Sequence, residues 1–406
     1  MDLKFLRDLA IKTIADCTFE KRVSYFGKEK VMPLLLPSGD EKYISFWVRD
    51  CAMMAESGLI PDSILKSYIE IIALCGQNGK ETLYLENNLI VPPYAVADHI
   101  NYDGNPVFYP GTYESGKNQG DGTYGIYPPF CDNYYFIMMV GFYIEQSGDK
   151  SILQNIYRGL TLAEILEHTF VGYNIDAESA LCLSEKEKFT VDWGFVDAIK
   201  KSGELLMASI LRYNASKTLE MLFENIPQKQ NFYKTEAEKI KNSILEVFYD
   251  ENSGWFYSAT GLCKQHDIWA TAYAVYSGIS AAPKIIKALK KAYEDKTAVV
   301  DGYVRHILTT DDFAENTAWE STILEYNTYQ NGGYWATPTG WYAYAISLQD
   351  KNLAFSLLRD FENHTKNYEK IGAPFEWINE NTTNFSGLKY GTSGVLPYIA
   401  LKRILI

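Results

Sequence analysis

Apolar residues recur at helical spacing through most of this chain. Pro61-Asp62-Ser63 opens one such stretch, with Ile64, Leu65, Tyr68, Ile69, Ile72 and Cys75 on a single face. The same periodicity predicts helices near residues 3–17, 50–57, 62–76, 132–147, 150–169, 196–213, 232–248, 266–278, 283–294, 337–348, 352–365 and 391–404. In the long stretch 77–131, the runs 82–85 and 88–91 alternate like strands. They predict a small β-hairpin with Glu86-Asn87 near its turn.

The connections between these helices alternate in length. Segments 57–61, 147–150, 213–217, 277–283 and 349–351 are tight turns, whereas 18–49, 77–131, 170–195, 249–265, 295–336 and 366–390 are long loops. Twelve helices joined in this way predict an all-α fold, the (α/α)6 toroid of six helical hairpins in a double ring. The short turns would lie on one face and the long loops, with the small hairpin, on the other. A solenoid of stacked helix pairs is the alternative, but no fixed-period repeat is present. A ring can grow where a spherical core cannot, so 1–406 is expected to be one catalytic domain.

Composition narrows the partners. A net charge of -13 over 406 residues argues against nucleic acid, which needs clustered Lys and Arg. No apolar run approaches the ~18 residues of a membrane span. The start Met1-Asp-Leu-Lys-Phe-Leu-Arg-Asp8 has no apolar leader core. The expectation is therefore a cytoplasmic protein, periplasmic if an upstream segment has been removed. Cys17, Cys51, Cys75, Cys131, Cys182 and Cys263 are scattered without a CxxC, which argues against a disulfide framework or a zinc site. Aromatic residues make up 15% of the chain, and many of the 31 Tyr and 8 Trp fall in Gly/Pro-rich loops.

Four loop segments join those aromatics to acids. In Phe46-Trp-Val-Arg-Asp50, Arg49 and Asp50 offer adjacent donor and acceptor groups with Trp47 as an apolar platform. That trio suits a sugar ring, whose hydroxyls take bidentate partners and whose C–H face stacks on indole. The plain alternative is a helix-start acid beside a salt-bridged arginine. In Val191-Asp-Trp-Gly-Phe-Val-Asp197, Asp192 beside Trp193 could hold a proton against apolar surface, or could simply cap a helix. Asp197 is a second acid on the same segment. Glu376 stands between Phe375 and Trp377, a costly place for a carboxylate without a task or a partner, and is the candidate general base. Glu380 follows in polar surroundings. The segment from Asn316 to Glu320, with Asn331-Gly-Gly-Tyr334-Trp335 and Trp341, predicts tightly turned backbone beneath an aromatic wall, Glu320 being a reserve carboxylate.

With these residues the chain resembles the six-hairpin glycosidase superfamily of glucoamylases, trehalases, α-L-rhamnosidases and related phosphorylases. Phe46-Trp-Val-Arg-Asp50 resembles the Trp-x-Arg-Asp segment of glucoamylases, which implies that Arg49 and Asp50 bind hydroxyls in the innermost subsite. Enzymes of that kind place the general acid on the third long loop and the base on the sixth, where this chain has Asp192 and Glu376. Asn331-Gly-Gly-Tyr-Trp resembles a segment of disaccharide phosphorylases. Glu376-Trp-Ile-Asn followed by Gly391-Thr-Ser-Gly resembles a closing pattern seen in several of these families. One departure stands out: Gly194 follows Trp193 where glucoamylases and trehalases carry an acid, which leaves the acid open between Asp192 and Asp197.

The expected activity is that of an exo-acting, inverting glycosidase, with Asp192 or Asp197 as acid and Glu376 as base. Trp47, Arg49, Asp50, Trp193, Glu320, Tyr334, Trp335, Trp341 and Trp377 would hold the carbohydrate. No cofactor or metal is called for. Three rivals share the toroid. A sugar epimerase would draw on His99, His266 or His306, and a disaccharide phosphorylase on Arg305-His306. A non-catalytic carbohydrate-binding protein would need no acid beside Trp193.

Overall fold

The computed structural model describes residues 3–25, 28–40, 42–112, 119–311, 317–379 and 388–406. Asn316 and Glu380 lie outside them. Twelve α-helices run through the described residues: α1 (Leu3–Cys17), α2 (Val48–Ala55), α3 (Asp62–Leu74), α4 (Phe130–Ser147), α5 (Leu162–Val171), α6 (Leu206–Leu222), α7 (Pro227–Phe248), α8 (Ile268–Tyr276), α9 (Pro283–Glu294), α10 (Thr339–Ser347), α11 (Lys351–Tyr368) and α12 (Gly391–Leu405). None is long and apolar enough to cross a membrane.

The chain divides into two compact units. An N-terminal unit holds Cys17–Asp197 and Gly203–Ser243; a C-terminal unit holds Met1–Asp16, Ala198–Ser202 and Ile244–Ile406. Within the first, α4 packs against α2 and α6 on either side, with α3 and α5 also against it. Within the second, α10 takes the same place, against α8 and α12, with α9 and α11 beside it. The sequence explains the layering. Every residue of α2 and α8 is buried, whereas α9 buries only Ile285, Ile286, Leu289 and Ala292 of its twelve. A helix apolar all round, such as α8, belongs inside, and one with a single apolar stripe, such as α9, covers it; α2 is buried although it carries Arg49 and Asp50.

Several helix boundaries depart from expectation: α6, expected from residue 196, begins at Leu206, and α7, expected from 232, begins at Pro227. Residues 150–161 are not helical throughout: a 3-10 turn (Lys150–Gln154) and a hairpin pairing Ile156–Tyr157 with Leu160–Thr161 come first. α5 then starts at a capping box, Thr161 accepting from the Glu164 amide while Glu164 reaches back to the Thr161 N–H. The segment 213–217, expected to be a turn, lies inside α6. Asn214 and Ser216 read as turn residues, but Ala215, Ser216 and Leu219 are fully buried and the Ser216 hydroxyl donates to the Tyr233 carbonyl at 2.8 Å. Tertiary packing overrides the local preference.

The long loops hold small sheets. The expected hairpin is present, Leu83–Tyr84 pairing with Ile90–Val91 around Asn87 and Asn88, both at positive φ. A longer hairpin, Thr18–Tyr25 against Lys28–Leu35, fills part of what read as a structureless loop. Its Glu20, Lys21, Arg22, Glu29 and Lys30 conceal the alternation that Val23, Met32 and Leu34 bury. All six cysteines carry free thiols, five of them buried.

Candidate functional site

In the N-terminal unit, Phe46–Trp47 forms a short strand against His99–Ile100, which pairs in turn with Pro106–Val107. α2 begins at the next residue, so Arg49 and Asp50 sit in its first turn, 5% and 1% exposed. The register sets Trp47 opposite His99, and the two rings stack with centroids 4.3 Å apart. The Arg49 guanidinium lies over Trp47 at 5.2 Å and Phe195 at 5.9 Å.

Three carboxylates face that guanidinium. Asp98 pairs with it directly, Asp132 stands 3.5 Å from Nη1, and Asp50 stands 3.9 Å from Nε. The second oxygen of Asp98 is 2.8 Å from His99 Nδ1. Burial opposes the charge on Arg49, yet Asp98, Asp132, Cys131 and Asp50 together hold it firmly protonated. Burial likewise works against ionised Asp98, but Arg49 and His99 outweigh it and keep its pKa below the ordinary range. Asp132 goes the other way: burial pushes it well up, and Arg49 does not compensate.

The loop-three residues adjoin this cluster. Asp192 is 2% exposed, and its Oδ1 accepts the Ala208 N–H at 2.6 Å in the first turn of α6. Asp192 is not the N-cap residue, which is Leu205, but one of its oxygens satisfies an amide in the first turn of α6 from outside the helix. Trp193 is buried and leans on Phe195 at 4.8 Å. Asp197 ends the following 3-10 turn, half-buried, and with burial its charge helps raise the Tyr124 phenol. Gly194 has a steric reason. A Cβ there would fall 2.3 Å from the Arg49 Cζ and Nε, so any acid after Trp193 would displace the guanidinium.

The C-terminal unit places Tyr334, Trp335 and Trp377 on one antiparallel sheet. Its order is Val299–Val300, Tyr303–Arg305, Tyr334–Trp335 and Trp377–Ile378, with Trp335 opposite Trp377. Glu376, 3% exposed, immediately precedes the last strand and accepts the Tyr329 hydroxyl at 3.2 Å. Tyr329, at φ 44°, also takes the Trp335 indole N–H on its carbonyl at 3.1 Å. The paired glycines behave as expected. A Cβ on Gly333 would meet the Tyr329 carbonyl oxygen at 2.5 Å and the Trp377 ring at 2.9 Å. Glu320 accepts the Ser202 hydroxyl at 2.7 Å. Trp341 lies apart from the sheet, in α10, against Tyr273 of α8 at 4.3 Å.

Arg305 and His306 have separate roles here. Arg305 donates to the carbonyls of Gly332 (2.9 Å) and Leu308 (3.0 Å) and to the Asn327 side chain, which ties the loop together. Those donors are turned to protein oxygens, so the Arg305 side of the proposed phosphate site finds no support. His306 lies flat on Trp269, 4.1 Å away at 3°, and pairs with Asp267 at 3.0 Å. Asp267 also caps α8 through Ala270 N–H at 2.8 Å. Its burial is outweighed by His306 and Lys201, which hold its pKa below the ordinary range.

Sequence reasoning missed Asp98, Asp132, Tyr329 and Asp267, and weighed His99 only for an epimerase. The signal that picked out Glu376, an acid among apolar neighbours, was available for Asp98 after Ala95-Val-Ala and for Asp132 in Pro129-Phe-Cys-Asp-Asn-Tyr-Tyr.

The family model described as amylo-alpha-1,6-glucosidase matches residues 117–382, which include Asp192, Asp197, Glu320 and Glu376. The chain belongs to that family, within the six-hairpin glycosidase superfamily. Comparison with curated proteins finds no match. Among solved structures, a rhamnosidase from Klebsiella oxytoca with rhamnose bound is similar at 11% identity and TM-score 0.60, over 99% of this chain and 64% of its own. A GH78 family rhamnosidase of Bacillus sp. GL1 is similar at 10% identity and TM-score 0.60, over 98% of this chain and 34% of its own. A glycosidase in complex with glucose is similar at 13% identity and TM-score 0.59, over 100% of this chain and 98% of its own. At these identities the likeness is one of fold.

Proposed function

We propose that this chain is an exo-acting, inverting glycoside hydrolase, a single (α/α)6 catalytic domain that removes a terminal sugar from an oligosaccharide or glycoside. The observation that carries the reading is Glu376, buried at 3% exposure within the family-matched region, oriented by Tyr329 and flanked by Trp377. Glu376 takes a proton from water, whose oxygen attacks the anomeric carbon. The glycosidic C–O bond breaks, and its oxygen receives a proton from the acid. Asp197 and Asp192 are the acids available. The bond from Ala208 to Asp192 favours Asp197 as the donor. Trp47, Arg49, Asp50, Trp193, Glu320, Tyr334, Trp335 and Trp377 form the carbohydrate-holding set.

The family description makes α-1,6-linked glucosides the first substrates to try, and the rhamnosidase likeness makes α-L-rhamnosides the second. The test is an aryl-glycoside panel with the anomer of the product followed by NMR. Release of a sugar with inverted configuration is expected. Retention would overturn the inverting mechanism, and full activity in Glu376→Ala would overturn the site. A second reading, sugar epimerase, draws on His99 and His306, each paired with an aspartate and stacked on a tryptophan. Conversion of a free sugar to its epimer without glycoside cleavage would select it.

A further inference from the structure

Asp132 is the third residue of α4 and has no solvent exposure. Among the described residues, neither of its carboxyl oxygens has a hydrogen-bond partner apart from the weak thiol donor of Cys131, and the charge facing it is Arg49 Nη1 at 3.5 Å, already engaged by Asp98. Burying an ionised carboxylate with so little compensation is costly, which favours the neutral acid. A neutral carboxyl offers one donor and one acceptor. Across the same network a second buried atom, His99 Nε2, also lacks a partner among the described residues, although Nδ1 is fixed on Asp98 and the ring on Trp47. Buried polar groups of this kind are normally satisfied, and those left open call for something that both gives and takes a hydrogen bond. A sugar hydroxyl does both. A carboxylate or phosphate accepts only, and would face Asp98 and Asp50.

We propose that Asp132 is a specificity-determining residue of the carbohydrate site: a neutral carboxyl that reads one substrate hydroxyl beside Arg49, with His99 Nε2 as the companion contact. This rests on the carbohydrate reading above and adds to it a residue, a protonation state and a ligand group.

The test compares wild type with Asp132→Asn, which keeps a donor and an acceptor without charge, and Asp132→Leu, which keeps neither. Affinity for free monosaccharides is measured by calorimetry, kcat/KM on the cleaved aryl glycoside alongside it, and the monodeoxy series of the preferred sugar is included. Asp132→Asn should bind within about threefold of wild type, and Asp132→Leu should lose roughly 10- to 100-fold. For one monodeoxy sugar that loss should vanish, because the hydroxyl being read is gone. If Asp132→Asn falls as far as Asp132→Leu, the group works as an ion and the proposal fails. If wild type binds every monodeoxy sugar equally, Asp132 satisfies only the protein's interior and the proposal fails even where Asp132→Leu does not fold. Sugar binding without hydrolysis would sink the glycosidase reading while leaving this one to be judged on the Asn and Leu variants. Absence of any sugar binding would sink both.

Discussion

In the N-terminal unit His99 lies on Trp47 and bonds to Asp98; in the C-terminal unit His306 lies on Trp269 and pairs with Asp267. The rings, the carboxylates and the indole beneath them correspond, but the arginines nearby do not. Arg49 is faced by the carboxylates of Asp98, Asp132 and Asp50, whereas Arg305 is faced by carbonyls and an amide. An arginine among carbonyls closes a loop and leaves nothing unmet. An arginine among three carboxylates leaves at least one that it cannot neutralise, and that surplus is open to a ligand. The C-terminal unit instead keeps a buried acid at Glu376, just before the last strand, where it accepts the Tyr329 hydroxyl.

The largest effect expected is on Glu376. Replacing it with Gln should lower kcat/KM on the cleaved glycoside about 10²- to 10⁴-fold with little change in melting temperature, as for removal of a general base. Asp197→Asn should match it in kcat. Asp192→Asn should show its effect in the melting temperature, through the amide it satisfies in the first turn of α6. If Asp192→Asn removes turnover while Asp197→Asn spares it, the assignment of the acid reverses.

The arginines come next. Arg49→Met strands buried carboxylates and should cost about 3–5 kcal/mol of stability. Arg305→Met leaves carbonyls short of a donor and should cost about 1–3 kcal/mol. Chemical denaturation of the two variants measures the difference. Equal losses would show that the surplus acid around Arg49 is already neutralised by something other than Arg49.

A smaller contrast separates two glycines, each about 1–3 kcal/mol when overpacked. A methyl on Gly194 meets the far end of a side chain, and a methyl on Gly333 meets the Tyr329 backbone. A guanidinium can shift where a carbonyl cannot. Gly333→Ala should therefore lose more stability, while Gly194→Ala should lose sugar affinity through the displaced Arg49. Thermal melts and binding titrations on the pair separate the two.

These contrasts show which parts of the molecule the sequence declares. The helices did so because burial repeats every three to four residues, and α9 shows it plainly with Ile285, Ile286, Leu289 and Ala292. Gly332-Gly333 declared a tight turn because Gly332 stands at φ 105° and a Cβ on Gly333 would meet the Trp377 ring. Glu376 was legible because its two neighbours are aromatic. Asp132 and Asp98 meet at Arg49 from segments more than thirty residues apart, and no local pattern records that meeting. The hairpin Thr18–Tyr25 with Lys28–Leu35 was hidden for a related reason: charged residues on both faces, such as Lys21 opposite Met32 and Lys30 opposite Val23, interrupt the alternation. Asp192 looked like a proton donor because it precedes a tryptophan, and its bond to Ala208 is set by where α6 begins.

The smallest effect divides the two clusters by pH. Asp267 is held below its ordinary pKa because His306 and Lys201 outweigh its burial. Its contribution to stability is therefore present above the unfolded value of about 3.9 and is lost as pH falls through the lower folded value. Asp132 is held above its ordinary pKa by burial. Its contribution is complete below about 3.9 and is lost progressively as pH rises toward the folded value. Asp267→Asn keeps the cap on α8 but not the charge, so it should melt below wild type at neutral pH and draw level in acid. Asp132→Asn should melt level with wild type in acid and above it as pH rises, because the amide has no proton to surrender. Melting curves of the two variants from acid to neutral pH should diverge from wild type in opposite directions. If Asp132→Asn melts below wild type at neutral pH, Asp132 is ionised there, and the arginine of the N-terminal unit is neutralising more than one carboxylate after all.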